Sequence, residues 1–140
     1  MVTCTRRLTF ETGHRVVGHE GKCINPHGHS YKLFLTAESL SLDNLGRVID
    51  FSVLKNVIGK WIDDNFDHAF ILYDKDKELM EFYRVNPTFK HYIMQHNPTA
   101  ENIALHLLND ICPLLLKDSG VRIVHIKLYE TENCFAEVTW

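Results

Sequence analysis

The sequence predicts an α+β domain, and three observations predict it. Segments with period-two alternation stand at both ends of the chain, two before and two after a helical middle. Two long stretches between them carry the i, i+3, i+4, i+7 apolar pattern of amphipathic helices. No Pro/Gly/Ser-rich linker, repeat or low-complexity tract divides the 140 residues, so residues 1–140 are expected to form one domain.

The elements follow in order. Residues 3–10 carry threonines and alternate Leu8 with Phe10, which reads as a strand. Residues 11–25 are polar and contain Gly13, Gly18 and Gly21, so a long functional loop is expected. Residues 29–38 alternate Tyr31, Leu33, Leu35 and Ala37 against polar neighbours, and this second strand is expected to pair with the first as a hairpin. Asp43-Asn44-Leu45-Gly46 is a turn. Phe51, Leu54, Val57, Ile58, Trp61 and Ile62 make the first helical stripe, with Asp50 or Ser52 as cap. Asp67 to Leu72 closes that segment, and residues 77–84 suggest a short helix. Thr99 caps a second long helix with Ile103, Leu107, Ile111 and Leu114 inward, which Pro113 should end or kink. Residues 124–130 and 134–140 supply two further strands, with Val124, Ile126, Leu128 and Glu130 on one face.

Composition excludes several classes. Hydrophobic residues are 45% and charged residues 24%, the balance of a folded globular chain rather than a disordered one. Fifteen Lys+Arg against eighteen Asp+Glu give a net charge of −3, without the basic footprint of a nucleic-acid binder. No apolar run approaches the ~20 residues of a membrane span. The N-terminal Met1-Val2-Thr3-Cys4-Thr5-Arg6-Arg7 is not followed by an apolar core, so no signal peptide and a cytoplasmic location are expected.

The chemistry concentrates in histidines, a cysteine and carboxylates. His27 and His29 are i and i+2 in a strand and point to one side. A hairpin would bring His14 to them, making three imidazoles with an open fourth position, the donor set of a catalytic zinc site. The alternative is a polar loop edge without metal. The four cysteines, Cys4, Cys23, Cys112 and Cys134, show no CxxC spacing and no disulfide framework. Cys112 reads as a core hydrophobe. Cys23 sits in the polar loop beside Lys22, four residues before His27, as a reactive thiol or as a fourth zinc ligand closing a structural site. Asp67-His68 is either a carboxylate-supported histidine or a histidine complementing a helix C-terminus. Glu130 is either a ligand-pairing carboxylate on an apolar face or a solvated strand end.

Taken together these segments resemble the 6-pyruvoyl-tetrahydropterin synthase family, which includes 6-carboxy-tetrahydropterin synthases. The matching stretches are Phe10-Glu11-Thr12-Gly13-His14-Arg15, Cys23-Ile24-Asn25-Pro26-His27-Gly28-His29-Ser30, Val48-Ile49-Asp50-Phe51, Asp67-His68, Asn97-Pro98-Thr99-Ala100-Glu101-Asn102 and Tyr129-Glu130-Thr131. The resemblance implies the tunnelling fold, a four-stranded antiparallel sheet with helices packed on one face, in the order β-β-α-α-β-β. It implies a homohexamer built as a dimer of trimers with active sites between subunits. It implies Zn²⁺ on His14, His27 and His29, with Cys23 as catalytic proton acceptor. Asp67 and His68 would activate the cysteine, and Glu130 would anchor the pterin and join the proton relay. The implied activity is a zinc-dependent lyase acting on 7,8-dihydroneopterin triphosphate. The compact Cys23-to-His29 segment and Val48-Ile49-Asp50-Phe51 look more like the branch that releases acetaldehyde and triphosphate to give 6-carboxy-5,6,7,8-tetrahydropterin, for queuosine-type deazapurine biosynthesis. The alternative is the 6-pyruvoyl product of tetrahydrobiopterin synthesis. More distant readings are a non-catalytic zinc-binding module and a redox-sensing thiol. Residues 73–96 look longer than in compact bacterial members.

Overall fold

A computed structural model describes all of residues 1–140. Strand β1 (Thr3–His14) and strand β2 (His27–Ser39) pair antiparallel without interruption, from Thr3 opposite Glu38 to His14 opposite His27. β1 runs four residues beyond the expected Phe10. Leu8, Phe10, Thr12 and His14 alternate inward along it and lie opposite Leu33, Tyr31, His29 and His27 of β2.

Helix α1 runs through Phe51–Leu54, a π-helical turn at Lys55–Gly59, and Lys60–Asn65. The Asp50 carboxylate caps it by accepting the Ser52 N–H at 2.8 Å. Leu54, Ile58 and Ile62 are fully buried beneath it, whereas Phe51 lies outside the stripe. Strand β3 (Ala69–Tyr73) then pairs parallel with the end of β1, Thr12 opposite Ala69 and His14 opposite Ile71. Helix α2 (Lys77–Val85) crosses over to strand β4 (His91–Met94), which lies parallel to β3. α2 contributes no buried residue.

Helix α3 runs through Ala100–His106, a π-helical turn at Leu107–Ile111, and Cys112–Leu116. Pro113 does not end it. The wide turn just before Pro113 absorbs the missing N–H, and the extra residue in that turn shifts the stripe. Cys112 and Leu116 are therefore buried and Leu114 is exposed. Strand β5 (Val121–Thr131) pairs antiparallel with β2, and strand β6 (Cys134–Thr139) with β5. A bulge opposite Thr36/Ala37 puts Ile123 rather than Val124 in the core.

The sheet is six-stranded and mixed, ordered β4-β3-β1-β2-β5-β6. This corrects the expected four-stranded antiparallel sheet and its β-β-α-α-β-β order. The cause is readable in residues 69–72. Parallel strands are covered on both faces and lose alternation, so Ala69-Phe70-Ile71-Leu72 resembles a helix tail rather than a strand. A core of 25 buried residues joins β1, β2, β5, α1 and α3. Beyond Thr12–His14, the outer edge of β1 has no strand partner in this chain. No helix is long and apolar enough to cross a membrane.

Candidate metal centre and surrounding site

The strand register brings three histidines together. His14 ends β1 and faces His27 across the ladder, and His29 follows two residues along β2 on the same side. Their ring centroids lie 4.7, 4.8 and 5.1 Å apart, and one donor nitrogen from each falls within 4.8 Å of the others. No cysteine sulfur or carboxylate oxygen joins that group.

Backbone carbonyls set two of the tautomers. His14 Nδ1–H donates to the Pro98 carbonyl at 2.6 Å, and His27 Nδ1–H donates to the Asn25 carbonyl at 2.6 Å. A carbonyl only accepts, so Nδ1 carries the proton and Nε2 keeps a lone pair for a metal. His14 is 1% exposed, and its Nε2 has no hydrogen-bond partner. His29 Nε2 is buried and likewise makes no hydrogen bond, with Glu130 Oε1 3.2 Å away. An unsatisfied buried polar atom costs about 1–3 kcal/mol, which a bound cation would offset. Burial pushes the His14 pKa down, against the Pro98 carbonyl and the Glu130 charge, and burial likewise lowers that of His29. Neutral imidazoles are the metal-binding form. The donor set therefore fits a divalent metal on these three residues.

Packing holds this end of the sheet. A Cβ on Gly13 would come within 2.7 Å of the Phe70 ring and 3.2 Å of the His27 carbonyl, so only glycine allows β3 so close to the histidines. Tyr31 lies fully buried beneath them, its hydroxyl 3.5 Å from His14 Nδ1, and burial followed by the Glu130 charge raises its pKa far above the usual value.

Cys23 occupies a short 3₁₀ turn, Lys22–Ile24, in the loop between the ligand-bearing strand ends. It is half-buried, and its carbonyl accepts the Val16 N–H at 2.8 Å. Glu130 sits at a second bulge, between Tyr129 opposite Phe135 and Thr131 opposite Cys134. Alternation from buried Leu128 puts it on the side of β5 that faces Tyr31 and His29 of β2, with its carboxylate 3.2 Å from His29 Nε2.

Asp67 and His68 touch each other. His68 adopts φ of 58°, the left-handed region, which turns its ring back onto its neighbour. Asp67 Oδ2 accepts His68 Nδ1–H at 2.8 Å, while Oδ1 accepts the Glu11 N–H at 2.8 Å. Burial works to raise the Asp67 pKa, but the Glu11 amide, His68 and Lys90 outweigh it and hold the carboxyl below its usual value. The pair does not join the histidine cluster. His68 is largely exposed and lines an open cavity of about 350 Å³ with Glu11, Gly13, Gly28, Ser30 and His29 of the cluster itself.

Sequence reasoning missed the carbonyls of Pro98 and Asn25, because a backbone acceptor has no side-chain signature. The Asn97-Pro98-Thr99 segment read as a helix start and as a stretch matching the family, not as a holder of His14.

Comparison with known proteins identifies the family of the chain. The family model described as 6-pyruvoyl tetrahydropterin synthase matches residues 3–139. A 6-carboxy-5,6,7,8-tetrahydropterin synthase from Rickettsia typhi is 50% identical over 138 residues, covering 99% of this chain and 100% of the relative. A crystal structure of an uncharacterized protein from Wolinella succinogenes superposes with TM-score 0.85 at 23% identity, covering 99% of this chain and 97% of the other. The 6-pyruvoyl tetrahydropterin synthase of Caenorhabditis elegans superposes with TM-score 0.71 at 22% identity, covering 99% and 95%. At those identities the two structures establish a shared fold. The family match along nearly the whole chain, with the full-length relative beside it, makes this protein a member of the 6-pyruvoyl tetrahydropterin synthase family.

Proposed function

We propose that this chain is a zinc-dependent lyase converting 7,8-dihydroneopterin triphosphate to 6-carboxy-5,6,7,8-tetrahydropterin, with release of acetaldehyde and triphosphate. The observation that carries the metal-dependent chemistry is the three-histidine cluster with no fourth protein donor, which leaves a position for substrate. The full-length likeness to the Rickettsia typhi synthase favours the 6-carboxy product over the 6-pyruvoyl one. The same open cluster argues against a closed structural zinc site with Cys23 as fourth ligand. We read the protein as cytoplasmic.

When bound, zinc would supply Lewis-acid polarisation of the substrate side-chain oxygens. Cys23, carried on the loop beside His27, accepts a proton from the substrate side chain. Glu130 accepts hydrogen bonds from the pterin 2-amino and ring N–H groups, paired donors that suit one carboxylate. His68, oriented by Asp67, exchanges a proton with the Cys23 thiol of a neighbouring copy. In its own chain the pair stands outside the three-histidine group, and His68 is largely exposed and so open to a neighbouring copy. The unpartnered edges of β1 and β6 offer the surfaces for joining copies into trimers, two of which stack as a hexamer.

The test is zinc-loaded protein with 7,8-dihydroneopterin triphosphate, following acetaldehyde and pterin products together. Acetaldehyde in step with a 6-carboxy pterin is expected. A 6-pyruvoyl pterin without acetaldehyde moves the protein to the other branch, and no turnover with zinc verified removes the lyase reading.

A further inference from the structure

The Asn97 side chain reaches the loop that follows His14. Its Oδ1 accepts the Val17 N–H at 2.8 Å, and its Nδ2–H donates to the Val17 carbonyl at 3.0 Å. One amide thus serves as a strand-like partner for both backbone groups of Val17, and only this amide orientation satisfies both. Asn97 is itself held, because its carbonyl accepts Asn102 Nδ2–H at 3.0 Å and the Thr99 N–H at 2.8 Å. The next carbonyl, that of Pro98, takes the His14 ring proton. Two adjacent residues therefore grip the chain on both sides of Arg15. Val16, between Arg15 and Val17, donates its N–H to the Cys23 carbonyl at 2.8 Å.

We propose that Asn97 is a positioning residue that fixes the Cys23 loop relative to the three histidines. The assignment rests on the reading of Cys23 as proton acceptor. The two grips are chemically separable. His14 is held by a backbone carbonyl, which no side-chain change at position 97 removes. Val17 is held by the amide side chain alone. Alanine removes both of its bonds, and aspartate keeps the acceptor but loses the donor. Loss of the amide should leave the histidines aligned while the turn carrying Cys23 moves.

The experiment compares wild type, Asn97→Ala and Asn97→Asp as full-length, zinc-loaded protein. Three quantities are read: zinc per chain by elemental analysis, the iodoacetamide alkylation rate of each cysteine by peptide mass spectrometry, and kcat and KM with 7,8-dihydroneopterin triphosphate. Both variants are expected to keep zinc within about twofold, change the Cys23 alkylation rate at least about threefold, leave exposed Cys134 unchanged, and lose about tenfold to a hundredfold in kcat with a smaller change in KM. A Cys23 alkylation rate matching wild type overturns the proposal, as does a kcat that falls only in step with lost zinc. If Asn97→Ala fails to fold, Asn97→Asp, of equal size, carries the same comparison. Absence of turnover in wild type would defeat the lyase reading, while the Cys23 alkylation rate would still decide the role of Asn97.

Discussion

The antiparallel half of the molecule and its parallel extension are held together in different ways. β1, β2, β5 and β6 with α1 and α3 share a continuous apolar core, with Leu33, Leu35, Ile58, Ile103 and Ile126 fully buried. The β3–α2–β4 extension puts Ile71 and Met94 into that core, but its helix buries nothing. It is tied down by directed contacts instead. Arg15 holds the nearly inaccessible Asp76 through two hydrogen bonds of 2.5 and 2.6 Å, and Asp76 also caps α2 by accepting the Leu79 N–H. Phe70 stacks on Tyr83 at 6.0 Å, and Lys90 donates to the carbonyls of Asp63 and Asp67. Non-directional burial stabilises the first region. A few geometric contacts place the second against the histidines and against Asp67–His68.

Substitutions can break that contrast, and the largest effect belongs to the hairpin. His14→Ala removes the most buried donor of the cluster. It should weaken zinc binding by more than the about 10–100-fold seen for loss of an outer-shell partner. Zinc titration against a chelator measures this, and wild-type affinity in the variant would sink the three-histidine site.

Next comes the core itself. Leu33→Ala, at a fully buried position, should cost about 2–5 kcal/mol of unfolding free energy, whereas Val85→Ala on the exposed end of α2 should stay within about 0.5 kcal/mol. Denaturant unfolding reads both. Equal costs would mean that α2 packs against something in the assembly that the single chain does not contain.

The smallest effect, and the one specific to the extension, is a pH dependence. Burial tends to raise the Asp76 pKa, but the Arg15 hydrogen bonds and charge and the Leu79 amide outweigh it, so the folded value lies below 3.8. A group depressed on folding stabilises fully above its unfolded pKa, and that stabilisation is lost as the pH falls through the lower folded value. The melting difference between wild type and Asp76→Asn should therefore be constant above pH 3.8 and shrink below it. A difference that grows on acidification would remove Asp76 from this role.

Local pattern made the antiparallel half legible. The alternation of Leu8 and Phe10, and of Tyr31, Leu33 and Leu35, survives in the structure because one strand face is buried and the other is not. Thr99 and Asp50 cap as their residue types predict, because capping is decided within three residues. The spacing of His27 and His29 placed both on one side for the same local reason. The extension was not legible. A parallel pair needs a crossover, and nothing in Ala69-Phe70-Ile71-Leu72 names its distant partner.

The amino-acid sequence by itself determined the strand pair that carries the histidines, the two long helices and the residue types of the site. Those follow from periodicity, caps and spacing, which act over a few residues. Only the tertiary structure decided which groups meet. It set the register that puts His14 opposite His27, the β2–β5 pairing that brings Glu130 beside His29, and the carbonyls that fix the imidazole tautomers. It also brought His68, far along the chain, to a cavity that His29 lines. These depend on contacts between residues far apart in the chain, where backbone groups and a one-residue shift in register matter as much as side-chain identity.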